Sequence, residues 1–151
     1  MKKILMTLAM GLIGSAMFAQ TADAGEVYRR AEKMPVFQEC QDANFAEAPY
    51  LCTIKQLMDH FQNGIQLENP IGGQTKGLLS FVVETDGSVS GIDLVRSAVV
   101  KTGDEAQNET IQALLDAAIL EKANALSFAE AGEQDGEAVR VQIQFSVPVN
   151  Y

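Results

Sequence analysis

The stretch from Leu78 to Arg96 constrains the fold more than any other part of this sequence. In its first half Leu79 and Phe81 alternate with polar residues, which is the two-residue period of a strand with one buried face. Asp86-Gly87 then interrupts the run and favours a tight primed turn, in which both residues adopt positive φ. A second strand follows, and its change of phase at Ser90-Gly91 predicts a β-bulge. The sequence therefore predicts an antiparallel hairpin at its centre.

Two amphipathic helices are predicted on either side of this hairpin. The first begins at Thr53 and ends at Asn63-Gly64, and the second is the longest element of the chain, with Thr102 and Glu105 as a possible capping box. Their apolar stripes recur every three or four residues. The stripe residues are Ile54, Leu57, Met58 and Phe61 in the first helix, and Ile111, Leu114, Leu115, Ala118, Ile119 and Leu126 in the second.

A third strand closes the sequence. It alternates apolar residues from Val139 to Val149 with polar residues that are mostly uncharged. We therefore expect an α+β fold in helix-hairpin-helix-strand order, in which a small three-stranded antiparallel sheet packs against two helices. Phe81, Leu115, Val141, Ile143 and Phe145 are its predicted core.

The N-terminus has the pattern of a signal peptide. Two lysines precede an apolar run of about fifteen residues, which is shorter than the roughly 20 residues that a membrane-spanning helix needs. We expect cleavage between Ala19 and Gln20; the triplet 22–24 is a second candidate site, and an uncleaved anchor is the alternative. The predicted organisation is a signal peptide over 1–19, a lead-in over 20–33 and one domain over 34–151, in a protein exported to the periplasm.

The charge of the mature chain excludes one large class of partners. Without residues 1–19 the chain has 9 basic and 20 acidic residues, a formal charge of −11. Phosphate backbones repel a protein of this charge, so we expect no nucleic-acid partner. The mature sequence also has no second apolar run, so we expect no integral membrane span in it.

Cys40 and Cys52 are the only cysteines. Disulfides persist in the compartments that exported proteins reach, so an even pair predicts a bridge worth about 3 kcal/mol in the chain-entropy model. The alternative is a cysteine nucleophile served by His60, the only histidine. On one helix, however, Cys52 and His60 would lie about 12 Å apart along the axis, too far for a catalytic dyad.

The remaining motifs predict no chemistry. The glycines of 72–77 lack the ending of a phosphate-binding loop and precede a strand instead of a helix. The acidic segment 131–136 lacks the ligand spacing of a calcium loop, which favours a solvated loop. One isolated imidazole makes no metal site. We therefore expect no catalytic residues, no metal and no cofactor.

The order of these motifs resembles the C-terminal domain of TonB, in the form common among small exported proteins of the Bacteroidetes type. No single motif carries this resemblance, which lies in their order and spacing over most of residues 34–151. They are Met34-Pro35-Val36-Phe37 before the cysteine pair, Gly77 opening a strand, Phe81 to Val89, the helix through Leu115-Asp116 and Ala118, Asp135 to Val141, and Val147 to Tyr151.

The resemblance implies a protein-interaction module, because sheets of this family pair with an extended segment of an outer-membrane receptor. The resemblance thus implies that the partner is a protein or an extended peptide segment, for example part of an outer-membrane receptor. We expect this pairing along the edge of the third strand, which has no lysine to block it. The expected edge residues are Val139, Arg140, Val141, Gln142, Ile143, Gln144, Phe145 and Ser146. The alternatives are a structural or accessory subunit of an envelope complex and an envelope enzyme.

Overall fold

The computed structural model describes residues 25–41, 49–68 and 70–151. The predicted signal peptide and its cleavage site at Ala19-Gln20 lie outside these residues. The described elements follow one another along the chain as five strands, two α-helices and one short 3-10 helix at Gln38–Cys40. They are β1 (Val27–Tyr28), α1 (Pro49–Gly64), β2 (Gln74–Val83), β3 (Val89–Arg96), α2 (Glu105–Asn124), β4 (Gly132–Gln134) and β5 (Glu137–Asn150).

The five strands form one mixed sheet in the order β1-β5-β2-β3, and β4 also pairs with β5. β5 pairs antiparallel with β2 over ten consecutive residue pairs, from Gln74↔Asn150 to Val83↔Val141, whereas β1 pairs parallel with β5. The predicted α+β class is confirmed, but the prediction of a purely antiparallel three-stranded sheet is wrong. It missed β1 and β4, because strands of two and three residues are too short to show a period.

The two tight turns differ from the prediction. Between β2 and β3 only Gly87 has positive φ, and Glu84 N donates to Ser88 O at 2.8 Å, so this turn is wider than a two-residue primed turn. The primed turn is instead Asp135-Gly136, with φ of 53° and 80°, which joins β4 to β5. The segment 131–136 is therefore a hairpin, not a solvated loop. The predicted bulge is present, since the register between β2 and β3 shifts between Ser80 and Val82.

Both helices begin at residues other than those predicted. α1 starts at Pro49. A proline fits the first helical position, because the N–H that it lacks would have no partner within the helix. Its buried residues are Thr53, Leu57 and Phe61, whereas Met58 is 40% exposed. The capping box is also absent: Asp104 caps α2 by accepting a hydrogen bond from Gln107 N at 3.1 Å.

The core lies between the helices and one face of the sheet. Phe81, Leu115, Val141, Ile143 and Phe145 are all buried in one cluster, as predicted. Alternation along β5 places its odd-numbered side chains from Val141 to Val149 in this core, and Gln144 and Ser146 are exposed. Leu114, a predicted stripe residue of α2, is 56% exposed. No helix among the described residues is long and apolar enough to cross a bilayer.

Candidate functional site

The backbone of β5 faces β2 at every second residue. Just beyond the strand ends, Gly73 and Tyr151 exchange two backbone hydrogen bonds of 2.8 and 2.9 Å. Because the register is unbroken and backbone groups alternate along a strand, odd-numbered residues of β5 bond to β2. Gln142, Gln144 and Ser146 therefore direct their N–H and C=O groups away from β2, toward the sheet edge.

Part of the predicted edge is already occupied. Arg140 and Val141 pair with β1 on this side, whereas Val139 pairs with β4 on the side of β2, in agreement with its odd number. In this parallel register the outward N–H of Gln142 faces the Tyr28 carbonyl, and beyond it no strand among the described residues pairs with the outer edge up to Ser146. The stretch with unpaired backbone groups is therefore shorter than Val139–Ser146, and it begins where β1 ends. We call Gln142–Ser146 the open edge.

A proline closes the far end of the open edge. Pro148 has the same parity as Gln142 and Gln144, so its ring nitrogen faces outward and supplies no donor there. Because this nitrogen faces away from β2, Pro148 removes no hydrogen bond between β5 and β2. The continuous row of outward donors thus ends at Ser146, two residues before Pro148.

The opposite edge of the sheet is irregular. β3 pairs with β2 through two register shifts, between Leu78 and Leu79 and between Ser80 and Val82. Gly91, within the second irregularity, has a φ of 54°. Bulges of this kind twist an edge and hinder the addition of another strand. Of the two edges, β5 presents the regular one.

A cavity of about 250 Å³ adjoins the open edge. Arg29 reaches it from the residue after β1, Tyr50 from the first turn of α1, and Met34 from the segment between them. The rest of its lining is Gln142, Ile143 and Gln144. Sequence analysis missed Arg29, Met34 and Tyr50, because residues distant in sequence meet only after β1 joins the sheet.

The disulfide between Cys40 and Cys52 is present, with 5.8 Å between the two Cα atoms. It joins the 3-10 helix to the first turn of α1, where Phe37 N also donates to Thr53 Oγ1 at 3.2 Å. Both contacts hold the N-terminus of α1, and with it Tyr50, against the segment that precedes the bridge. Since neither cysteine is free, the alternative of a cysteine nucleophile is wrong.

A second cavity, of about 640 Å³, lies on the other side of Met34 and Tyr50. Three carboxylates line it, and each has a donor. Glu133 pairs with Lys33 at 2.6 Å, Glu130 accepts from Gln41 at 3.0 Å, and Glu32 accepts from Asp135 N at 3.2 Å. Each carboxylate of this cavity is therefore engaged in at least one contact with a neighbouring donor.

Arg140 ties the occupied part of the edge to the rest of the sheet. Its Nε donates to Glu84 Oε2 at 2.6 Å, and another of its nitrogens donates to Gly25 O at 3.1 Å. Glu84 also accepts a short hydrogen bond from the Ser90 hydroxyl. These contacts join β5 to β2, to β3 and to the residues that precede β1. Two hydrogen bonds lower the pKa of Glu84 below its ordinary value of 4.5; the one from Arg140 has the larger effect and the one from Ser90 the smaller.

The lowered pKa of Glu84 predicts a loss of stability in acid. A carboxylate whose pKa is depressed by folding stabilises the native state above its ordinary pKa, and this contribution is lost as the pH falls through the folded value. We therefore expect Glu84→Gln to be less stable than the parent at neutral pH, with the difference shrinking below pH 4.5. Urea unfolding across this range measures it. Glu109→Gln, an exposed change on α2, is the control, and a difference from the parent independent of pH would contradict the assignment.

Groups typical of catalysis do not converge among the described residues. No three His, Cys, Asp or Glu side chains there are placed to hold a metal ion. The imidazole of His60 lies 3.1 Å from the Lys122 carbonyl oxygen and packs edge-on against Phe61. Its position is that of a structural histidine at the contact of the two helices.

Comparison with known proteins gives limited similarity. No family model matches the sequence, and no curated protein matches it. Among solved structures, the chain is similar to the solution structure of the TonB C-terminal domain of Helicobacter pylori. The two are 20% identical, the match covers 77% of this chain and 92% of that one, and the TM-score is 0.32. With a TM-score this low, the functional argument rests on the open edge and the residues around it.

Proposed function

We propose that this protein is a non-catalytic periplasmic module that binds an extended protein or peptide segment along the open edge of β5. The observation that carries the proposal is the outward row formed by the Gln142 carbonyl and by the backbone groups of Gln144 and Ser146, backed by an unbroken ladder to β2. An added strand gains its affinity from such main-chain groups. The regular ladder holds them at the spacing that a strand requires.

The side chains of the open edge also favour pairing. Edges that must stay unpaired usually carry lysine, proline or a bulge. Gln142–Ser146 has none of these, whereas β3 has two register shifts. The exported location is supported by the signal-peptide pattern and by the disulfide, a bond that persists in oxidising compartments.

The sequence resemblance to TonB C-terminal domains suggests the kind of partner. In that family the partner is an extended segment of an outer-membrane receptor, which is the first candidate here. An accessory subunit of an envelope complex would use the same edge. A photo-crosslinking residue at position 144 in the exported protein separates the two, since the captured protein is a receptor in one case and a complex subunit in the other.

Proline at the open edge tests the proposed pairing directly. Gln144→Pro removes an outward donor and places the ring in the path of an added strand, without removing a bond to β2. With peptides selected from a display library of random heptamers, we expect binding about five- to tenfold weaker than to the parent. Isothermal titration measures the affinity, and circular dichroism checks the fold.

The matched control is Gln144→Ala, which changes the same side chain and keeps the backbone donor. It should bind the selected peptides nearly as well as the parent. If the folded proline variant binds them as tightly as the alanine variant, the peptides bind elsewhere and the proposed edge is wrong.

A further inference from the structure

We propose that the cavity beside the open edge binds one acidic side chain of the paired segment, through the guanidinium of Arg29. The inference rests on the proposed function, because the segment must first lie along β5. It adds a sequence requirement: one position of the segment carries Asp or Glu. No other position of the segment is restricted by this cavity.

The location of the cavity brings it within reach of such a segment. Gln142, Ile143 and Gln144 form both the start of the open edge and part of the cavity lining. A strand that pairs here passes directly over the opening. Because side chains alternate between the two faces of a strand, one or two of its residues point to the face on which Met34 and Tyr50 lie.

The charge of the cavity selects the side chain. Arg29 is its only charged lining residue among those described, and its side chain is exposed. Of the neighbouring cations, Arg140 pairs with Glu84, Lys33 pairs with Glu133, and Arg30 does not line the cavity. A guanidinium offers parallel N–H donors that match a carboxylate. In a mature chain of 9 basic and 20 acidic residues, a formal charge of −11, this local cation favours an acid that the rest of the surface would repel.

The ends of the open edge set the length of the segment. Tyr28 of β1 occupies the position beside Val141, and the outward donors stop before Pro148. Six strand residues, from Gln142 to the residue before Pro148, span about 20 Å. Seven-residue peptides are therefore long enough to fill the edge and place one side chain in the cavity.

Selection from a random heptamer display library tests the inference. The mature protein, Arg29→Glu and Arg30→Glu are each used as bait. Arg30 is the matched control, because it is the next residue, is also exposed and does not line the cavity. We expect Asp or Glu to be enriched at one position with the parent and with Arg30→Glu, and to be replaced there by Lys or Arg with Arg29→Glu. A peptide selected with the parent should bind Arg29→Glu at least about tenfold more weakly than it binds the parent, as expected for loss of a charge-assisted hydrogen bond.

The outcomes separate this inference from the proposed function. Suppose that the selected peptides lose affinity for Gln144→Pro but show no preference for an acidic residue, or bind Arg29→Glu as tightly as Arg30→Glu. Either result would overturn the acidic subsite and leave the proposed pairing intact. A selection that yields no peptide sensitive to Gln144→Pro overturns the pairing, and the subsite with it.

Discussion

Phe145→Ala should lower the free energy of unfolding by about 3 to 5 kcal/mol, the range for truncating a buried aromatic side chain. Phe145 is 7% exposed, and its ring stacks on Phe61 of α1 with 5.8 Å between centroids. Alanine would leave a cavity between the sheet and the helix that the ten-pair ladder to β2 prevents from closing. Chemical denaturation of the purified mature protein gives the value.

Gln144 is the internal comparison for this prediction. It neighbours Phe145 but is exposed on the opposite face, so Gln144→Ala should change stability by no more than about 0.5 kcal/mol. Equal losses for the two variants would mean that the faces of β5 are assigned the wrong way round.

Removal of the disulfide should have the second largest effect. Replacing both Cys40 and Cys52 by alanine frees a loop with a sequence separation of 12. The chain-entropy model then predicts a loss of about 3 kcal/mol. The variant should unfold at a lower denaturant concentration than the oxidised parent.

The reduced parent provides the check on this interpretation. It has the same missing cross-link but keeps both sulfur atoms, so its stability should approach that of the double variant. A reduced parent as stable as the oxidised one would show that the bridge does not contribute to stability.

The sequence predicted the elements that are long and periodic. The alternation from Val139 to Val149 identified β5 and its buried face, and the stripe of Leu57 and Phe61 identified α1. β1 is a strand only because it pairs with β5, and its two residues show no local pattern that could have predicted it. The hairpin of β4 did have a signal: Asp135-Gly136 is the same dipeptide as Asp86-Gly87, and only the former makes a primed turn.

The candidate site was predicted less completely than the fold. Polar, mostly uncharged residues indicated an edge over Val139–Ser146, but how much of it stays open depends on where β1 pairs. Arg29 falls in the predicted lead-in over 20–33 and belongs to none of the motifs that the sequence analysis identified. Only the tertiary arrangement brings it beside Gln144, because the predicted lead-in and β5 meet across more than one hundred positions of sequence.

The unbroken register between β2 and β5 also determines how the domain carries mechanical tension. A force applied along β5, for example by a partner strand pulled parallel to it, acts in shear and is shared by all ten residue pairs at once. A force perpendicular to the strand would instead peel these pairs apart one after another. The domain should therefore resist tension along the strand axis far better than tension across it.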